Sequence, residues 1–75
     1  MTVDEARMSI GQQIVSTTGI SQTNGPYLPA GSTFRLEFID VRMFGLSWPT
    51  ARGRVTIQLS TTALTHFMTR SDWIR

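Results

Sequence analysis

The sequence has 75 residues, enough for one small domain spanning 1–75, and its composition excludes several kinds of site. It contains no cysteine, so neither a disulfide nor a cysteine-based metal site can form, and the single His66 leaves little for zinc. Seven arginines, no lysine and five acidic residues give a net charge of +2, a mildly basic balance that indicates a solvated surface more than a dedicated anion site.

A helix is predicted near the N-terminus, because Thr2-Val3-Asp4-Glu5 matches a capping box. Apolar residues then recur at helical spacing, at Val3, Ala6, Ile10 and Ile14. We expect this helix to continue to about Val15. The run 14–18 is also rich in β-branched residues, so a shorter helix followed by a strand over 10–15 is the alternative.

The segment 16–33 is a long polar connector of Ser, Thr, Asn, Gly and Pro residues. Turns are predicted at Asn24-Gly25-Pro26 and at Pro29-Ala30-Gly31. Tyr27 and Leu28 lie between these turns. We expect them to pack against the core and so anchor the connector, and the alternative is that Tyr27 is an exposed aromatic residue used for binding. Ordered connectors of this length are uncommon in compact domains, so the connector is expected to be either functional or mobile.

The strongest strand signal is the stretch Phe34 to Phe44, in which apolar and charged residues alternate. The alternation changes phase midway, so one face begins apolar and ends charged while the other face does the reverse. Two explanations remain open. A β-bulge near 38–40 returns both halves to one core, or the two halves bury against different partners, one of which is another copy of the chain.

Residues 45–53 are predicted to form a loop that leads to a second strand over 54–60, which alternates cleanly. A second helix, capped by Ser60 or Thr61, is expected to follow. Its apolar stripe is Ala63, Leu64, Phe67 and Met68. The predicted fold class is α+β, in the order αββα, with an antiparallel β-hairpin packed against one or two helices. Three strands with one helix is the alternative. The centre of the core is expected at Leu36, Phe38, Ile57, Leu59, Leu64 and Phe67.

Two sequence features bear on ligand binding and catalysis. Trp48 lies close in sequence to Arg52 and Arg54, and these residue types stack bases and hold phosphates in single-strand binders. A packed Trp with solvated arginines is the alternative interpretation. His66 has no orienting carboxylate on its predicted helical face, so we expect no enzymatic activity, and no cofactor or metal is expected.

The chain carries more apolar residues at the ends of its predicted elements than a minimal αββα unit can shelter. The predicted interface is Ile39, Val41, Met43, Phe44 and Trp73. We therefore expect a non-enzymatic protein–protein interaction or assembly module, most simply a homo-oligomer. A small nucleic-acid-binding module that uses Trp48, Arg52 and Arg54 is the alternative.

The expected location is the cytoplasm. Asp4 and Glu5 stand where a signal peptide would carry positive charge, and no apolar run approaches the length of a membrane span. No membrane partner is expected. The short chain, the lack of lysine and the absence of motifs would also suit an accessory protein of a phage or another mobile element.

Overall fold

The computed structural model describes residues 1–22, 25 and 27–74, and the strands among them form one five-stranded antiparallel sheet. The strands are β1 (Gln13–Ser16), β2 (Thr33–Ile39), β3 (Met43–Thr50), β4 (Gly53–Ser60) and β5 (Phe67–Thr69). The helices are α1 (Val3–Arg7), a 3₁₀ helix (Thr61–His66) and α2 (Arg70–Ile74). In the sheet the strands follow the order β4-β3-β2-β1-β5. The radius of gyration of 11.5 Å is that of a compact domain of this length, about 11 Å.

The predicted capping box is present at the start of α1. Thr2 Oγ1 accepts the Glu5 N–H, and Glu5 Oε1 accepts the Thr2 N–H. The prediction that this helix continues to Val15 is wrong, because α1 ends at Arg7 and Gly11 takes a positive φ of 83°. The Gly11 N–H donates to the C=O of Leu36 at 2.7 Å. The β-branched residues that follow thus enter a strand, as in the alternative prediction.

Backbone hydrogen bonds join the connector before β2 to itself and, from the Gly31 N–H to the C=O of Ser16 at 2.8 Å, to β1. Ile20 and Leu28 exchange two of them, at 2.7 and 2.9 Å, and the Leu28 side chain lies in the core. Leu28 therefore pins the connector, whereas Tyr27 is 64 % exposed and its hydroxyl lies over Gly19. The turn predicted at Asn24-Gly25-Pro26 involves residues outside those that the structure describes.

The stretch Phe34 to Phe44 contains two strands rather than one. β2 ends at Ile39, and a tight turn leads into β3. The register between the two strands shifts between Leu36 and Phe38, which makes Glu37 the extra residue of a β-bulge. A bulge that restores one core face was one of the two explanations of the phase change, and it lies slightly earlier than predicted.

The bulge changes the face on which Phe38 lies. Beyond it, Ile39 faces the core, and Phe38 lies on the opposite face with its ring over Gly45. The prediction of Phe38 at the centre of the core is therefore wrong, because one inserted residue moves every following side chain to the other face.

The loop predicted over 45–53 is mostly strand. β3 extends through Pro49 to Thr50, and only Ala51 and Arg52 form the turn to β4. Leu46 and Trp48 face the core on this strand. The αββα order therefore contains too few strands, since β3 and the two short strands β1 and β5 are missing from it.

The second predicted helix is also divided. The 3₁₀ helix ends at His66, and β5 pairs with β1 in the place of further helical turns. The N-terminal ammonium group of Met1 donates to the C=O groups of Leu64 and Phe67 at 3.1 and 3.0 Å. Of the predicted stripe, Ala63 and Leu64 reach the core from the 3₁₀ helix and Phe67 from β5, whereas Met68 lies half-buried on β5 outside the core cluster.

The core lies on one face of the sheet, beneath α1, the 3₁₀ helix and the connector. Its buried members are Ala6, Ile14, Leu28, Phe34, Leu36, Phe44, Leu46, Leu64 and Phe67. Three of the predicted core residues, Leu36, Leu64 and Phe67, are confirmed, and Ile57 and Leu59 pack against the cluster half-buried. On the opposite face α2 packs against β1 and β5, and the part over β2, β3 and β4 faces solvent.

Candidate interaction surface

β4 is an edge strand, because it ends the strand order and pairs only with β3 among the described residues. It is eight residues long, and most of its side chains are exposed. An edge strand of this length presents a row of unpaired backbone N–H and C=O groups, which is a template for pairing with another chain. We refer to the outer side of Gly53–Ser60 as the β4 edge.

The pairing with β3 determines which backbone groups form the β4 edge. Pro49 has no N–H, so Pro49 and Arg54 cannot exchange two hydrogen bonds. Bonded and non-bonded pairs alternate along an antiparallel ladder, and Trp48–Val55 is therefore a bonded pair. The N–H and C=O groups that point away from the sheet accordingly belong to Arg54, Thr56 and Gln58, together with the N–H of Ser60, whose C=O accepts the first bond of the 3₁₀ helix.

An apolar row runs along β4 on the core face of the sheet. Val55, Ile57 and Leu59 form it, and they lie beside core-facing residues of β3. Val55 is 39 % exposed, and the other two are half-buried. The apolar row on β4 is therefore only partly covered, because the 3₁₀ helix packs against β4 only at one end.

β4 lacks the features that usually block edge-to-edge pairing. Within Gly53–Ser60 there is no proline and no lysine, the register with β3 is unbroken, and Arg54 is the only charged residue. The opposite edge of the sheet differs. It is formed by β5, which has three residues, and short edge strands are themselves a protection against pairing.

A hydrogen-bonded chain of side chains crosses β2, β3 and β4 on the solvent-facing side of the sheet. Its members are Arg35, Glu37, Ser47 and Arg54. Arg35 Nε donates to Glu37 Oε1 at 2.7 Å, and Ser47 Oγ donates to the same oxygen. Arg54 Nε donates to Ser47 Oγ at 3.1 Å. The bulged residue Glu37 thus links the two arginines across three strands.

This network favours the charged form of Glu37. Hydrogen bonds from Ser47 and Arg35 lower the pKa of the Glu37 carboxyl below its ordinary value, and the charges of Arg35 and Arg54 act in the same direction. Since the pKa is lower in the folded state, ionised Glu37 stabilises the fold above the ordinary carboxyl pKa of about 4.3. That contribution is lost as the pH falls through the lowered pKa.

The five residues of the predicted interface do not form one surface. Phe44 is completely buried, so it cannot meet a partner in this fold, and Ile39 packs against the core. Val41 and Met43 are exposed at the turn between β2 and β3. Trp73 is 45 % exposed on α2, which packs at the β1–β5 end of the sheet.

The predicted nucleic-acid residues are divided between two faces of the hairpin. Trp48 lies on the core face, where its ring contacts the edge of the Phe34 ring at a centroid distance of 5.5 Å. Arg54 lies on the opposite face and donates to Ser47, and Arg52 is exposed in the turn. Trp48 is therefore not placed to stack a base between these arginines, and the packed interpretation fits its position.

The outward residues of β4 were not singled out in the sequence. Their signal was the clean alternation over 54–60 with a single charge, which predicts a half-buried strand in the centre of a sheet as well as at its edge. Strand order is set by contacts between distant segments. The alternation therefore could not identify β4 as the edge.

Among the residues that the structure describes, no group of side chains is arranged to hold a metal ion, and there is no pocket. No helix among residues 1–22, 25 and 27–74 has the length and apolar character needed to cross a membrane. No protein-family model, curated protein or solved structure matches the chain.

Proposed function

We propose that the protein is a non-enzymatic interaction and assembly module that associates with itself through the β4 edge. The observation that carries this proposal is the unprotected edge strand, in which unpaired backbone groups and a half-exposed apolar row occur together. A strand added at this edge would satisfy the backbone groups and cover the row in one step.

The two parts of the β4 edge supply different terms of the binding free energy. Burial of the exposed area of Val55 and of its half-buried neighbours supplies the hydrophobic term, about 25 cal/mol for each Å² removed from water. The backbone hydrogen bonds replace bonds to water, so each adds only a small net free energy of binding. Together they fix the direction and register of the added strand.

Thr56→Pro is the most direct test of this proposal. The Thr56 N–H points away from β3, so proline removes a donor from the edge without removing a hydrogen bond of the sheet. We expect wild-type protein to sediment as an oligomer that dissociates on dilution, and Thr56→Pro to sediment as a folded monomer. Thr56→Ser, which keeps the N–H, is the matched control and should assemble like wild type.

Val55→Lys is a second variant in case proline disturbs the strand. It places a charge on the exposed end of the apolar row, where Lys is a common natural block to pairing. Circular dichroism and thermal unfolding would confirm that each variant is folded. Sedimentation of wild type as a monomer throughout, or assembly of Thr56→Pro equal to that of Thr56→Ser, would contradict the proposal.

Nucleic-acid binding is a second candidate function, favoured by the solvent-facing side of the sheet. Arg35 and Arg54 lie there on either side of Ser47, and the half-buried Phe38 ring lies on the same face. This set differs from the predicted one, because Phe38 takes the place of Trp48 and Arg35 takes the place of Arg52. Arg35 is engaged with Glu37 and Arg54 with Ser47, which weakens the case.

A titration with single-stranded oligonucleotides at low salt tests the second candidate. Binding through these arginines should weaken as the salt concentration rises. A plot of the logarithm of the binding constant against the logarithm of the salt concentration should fall with a slope of about 0.7 for each neutralised phosphate. Arg54→Gln should lower the affinity, and Arg7→Gln on α1 is the matched control. No detectable binding at high protein concentration would remove this candidate.

The cytoplasmic location and the phage or mobile-element origin stay predictions from the sequence.

A further inference from the structure

The outward backbone groups of β4 restrict how two copies of this strand can pair. Hydrogen bonds form only where an outward residue of one copy faces an outward residue of the other, and every second residue is outward. In an antiparallel arrangement, three two-fold registers satisfy this condition and keep most of the strand paired. Their axes pass through Thr56, Ile57 or Gln58.

The register centred on Ile57 uses the whole of β4. Arg54 then faces Ser60 of the second copy, and Thr56 faces Gln58 of the second copy. Each Thr56–Gln58 pair exchanges two hydrogen bonds, and each Ser60 N–H donates to the C=O of Arg54, so about six new main-chain bonds form between the copies. The two Arg54 side chains lie six residues apart along the strand, about 20 Å, and do not repel each other strongly.

The same register is the one that matches the apolar rows. On the core face, Val55 meets Leu59 of the second copy, and Ile57 meets Ile57 of the second copy. A register centred on Thr56 sets Leu59 opposite Gly53, which has no side chain to contact. A register centred on Gln58 sets Val55 opposite Thr61, which belongs to the 3₁₀ helix. Cross-strand apolar pairs therefore favour Ile57 as the centre.

From this complementarity we infer that the partner of the β4 edge is the β4 edge of a second copy, paired antiparallel about a two-fold axis at Ile57. The inference rests on the proposed function and makes it specific. The two sheets join into one continuous sheet of ten strands. Because the interface is used by both copies and the remaining edges are the short β5 strands, the assembly closes as a dimer and does not grow into a fibre.

Disulfide trapping tests the register, since the chain has no cysteine of its own. Thr56→Cys and Gln58→Cys would be prepared with tags of different size, mixed in equal amounts and oxidised slowly. Thr56 and Gln58 of the second copy form a hydrogen-bonded pair, whose Cα atoms lie about 5.5 Å apart, within the range of a disulfide. Identical positions are diagonal neighbours about 7–8 Å apart, which is too far.

We expect disulfides between the two different variants to form the large majority of the cross-linked dimers, well above the share that random pairing gives, and the exposed Thr62→Cys control to cross-link weakly. Predominant Thr56→Cys or Gln58→Cys homodimers would overturn this register and leave association at the β4 edge intact. A dimeric mass without cross-linking at either position would overturn the inference and place self-association on another surface. A monomeric mass would remove both the inference and the proposed self-association.

Discussion

The two ends of the sheet are built differently. At the β5 end, the 3₁₀ helix lies on one side of the sheet and α2 on the other, and Val15 and Phe67 are buried. The Met1 ammonium group donates to the C=O of Leu64, in the 3₁₀ helix, and to that of Phe67, the first residue of β5. At the β4 end, the strand is mostly exposed and its apolar row is only half covered. The difference indicates that the fold is stabilised more strongly at the β5 end, and the less covered β4 end is the one to which we assign the proposed self-association.

The largest effect is expected at the stabilised end. Phe67 is buried and its ring contacts the Phe34 and Phe44 rings at centroid distances of 6.1 and 5.5 Å. Phe67→Ala should cost about 3–5 kcal/mol of unfolding free energy in a urea titration, whereas Val55→Ala at the β4 end should cost about 1 kcal/mol or less as a monomer. Equal losses for the two variants would show that the two ends do not differ in this way.

A smaller effect is expected where β2 and β3 meet on the solvent-facing side. A Cβ atom at Gly45 would lie 2.2 Å from the nearest carbon of the Phe38 ring. Gly45→Ala should therefore destabilise the monomer by about 1–3 kcal/mol. Phe38→Leu combined with Gly45→Ala should lose less than the two single changes added together. Simple additivity in this double-mutant cycle would contradict the placement of the ring.

The contact between Phe38 and Gly45 also shows what the sequence could and could not reveal. The phase change within Phe34 to Phe44 pointed to a bulge, and the bulge exists. The position of the bulge depends on the pairing of Leu36 in β2 with Leu46 in β3, a contact between two strands that the sequence alone does not show. Moving a bulge along a strand reverses the face only of the residues between its expected and its actual position, which is why Phe38 was misplaced and Ile39 was not.

Local signals were otherwise the reliable ones. The capping box at Thr2 depends on atoms three residues apart, and the alternation over Arg54–Ser60 reports one strand with one buried face. The short strands β1 and β5 have four and three residues, too few for a periodic pattern, and they form because β1 pairs with both β2 and β5. The candidate site depends on strand order, and for that reason it was recognised only in the structure.

The smallest effect is expected from the Glu37 network, which spans the middle of the sheet. Since Ser47 and Arg35 lower the pKa of Glu37, Glu37→Gln should lower the melting temperature at neutral pH. The difference from wild type should shrink as the pH falls below about 4.3 and through the lowered pKa, because the wild-type carboxyl then becomes protonated. The melting temperatures of wild type and Glu37→Gln, measured from pH 7 downward, give this difference. A difference that is constant with pH would exclude this explanation.

The most direct test of the proposed pairing at the β4 edge is amide hydrogen exchange, followed by NMR at low and high protein concentration. The Val55 and Ile57 amides bond to β3 and should be protected at both concentrations. The Thr56 and Gln58 amides point outward, so they should exchange rapidly when dilute and become protected when concentrated, with Thr56→Pro abolishing the gain at Gln58. Rapid exchange of Thr56 and Gln58 at concentrations where the protein is dimeric would contradict association through the β4 edge.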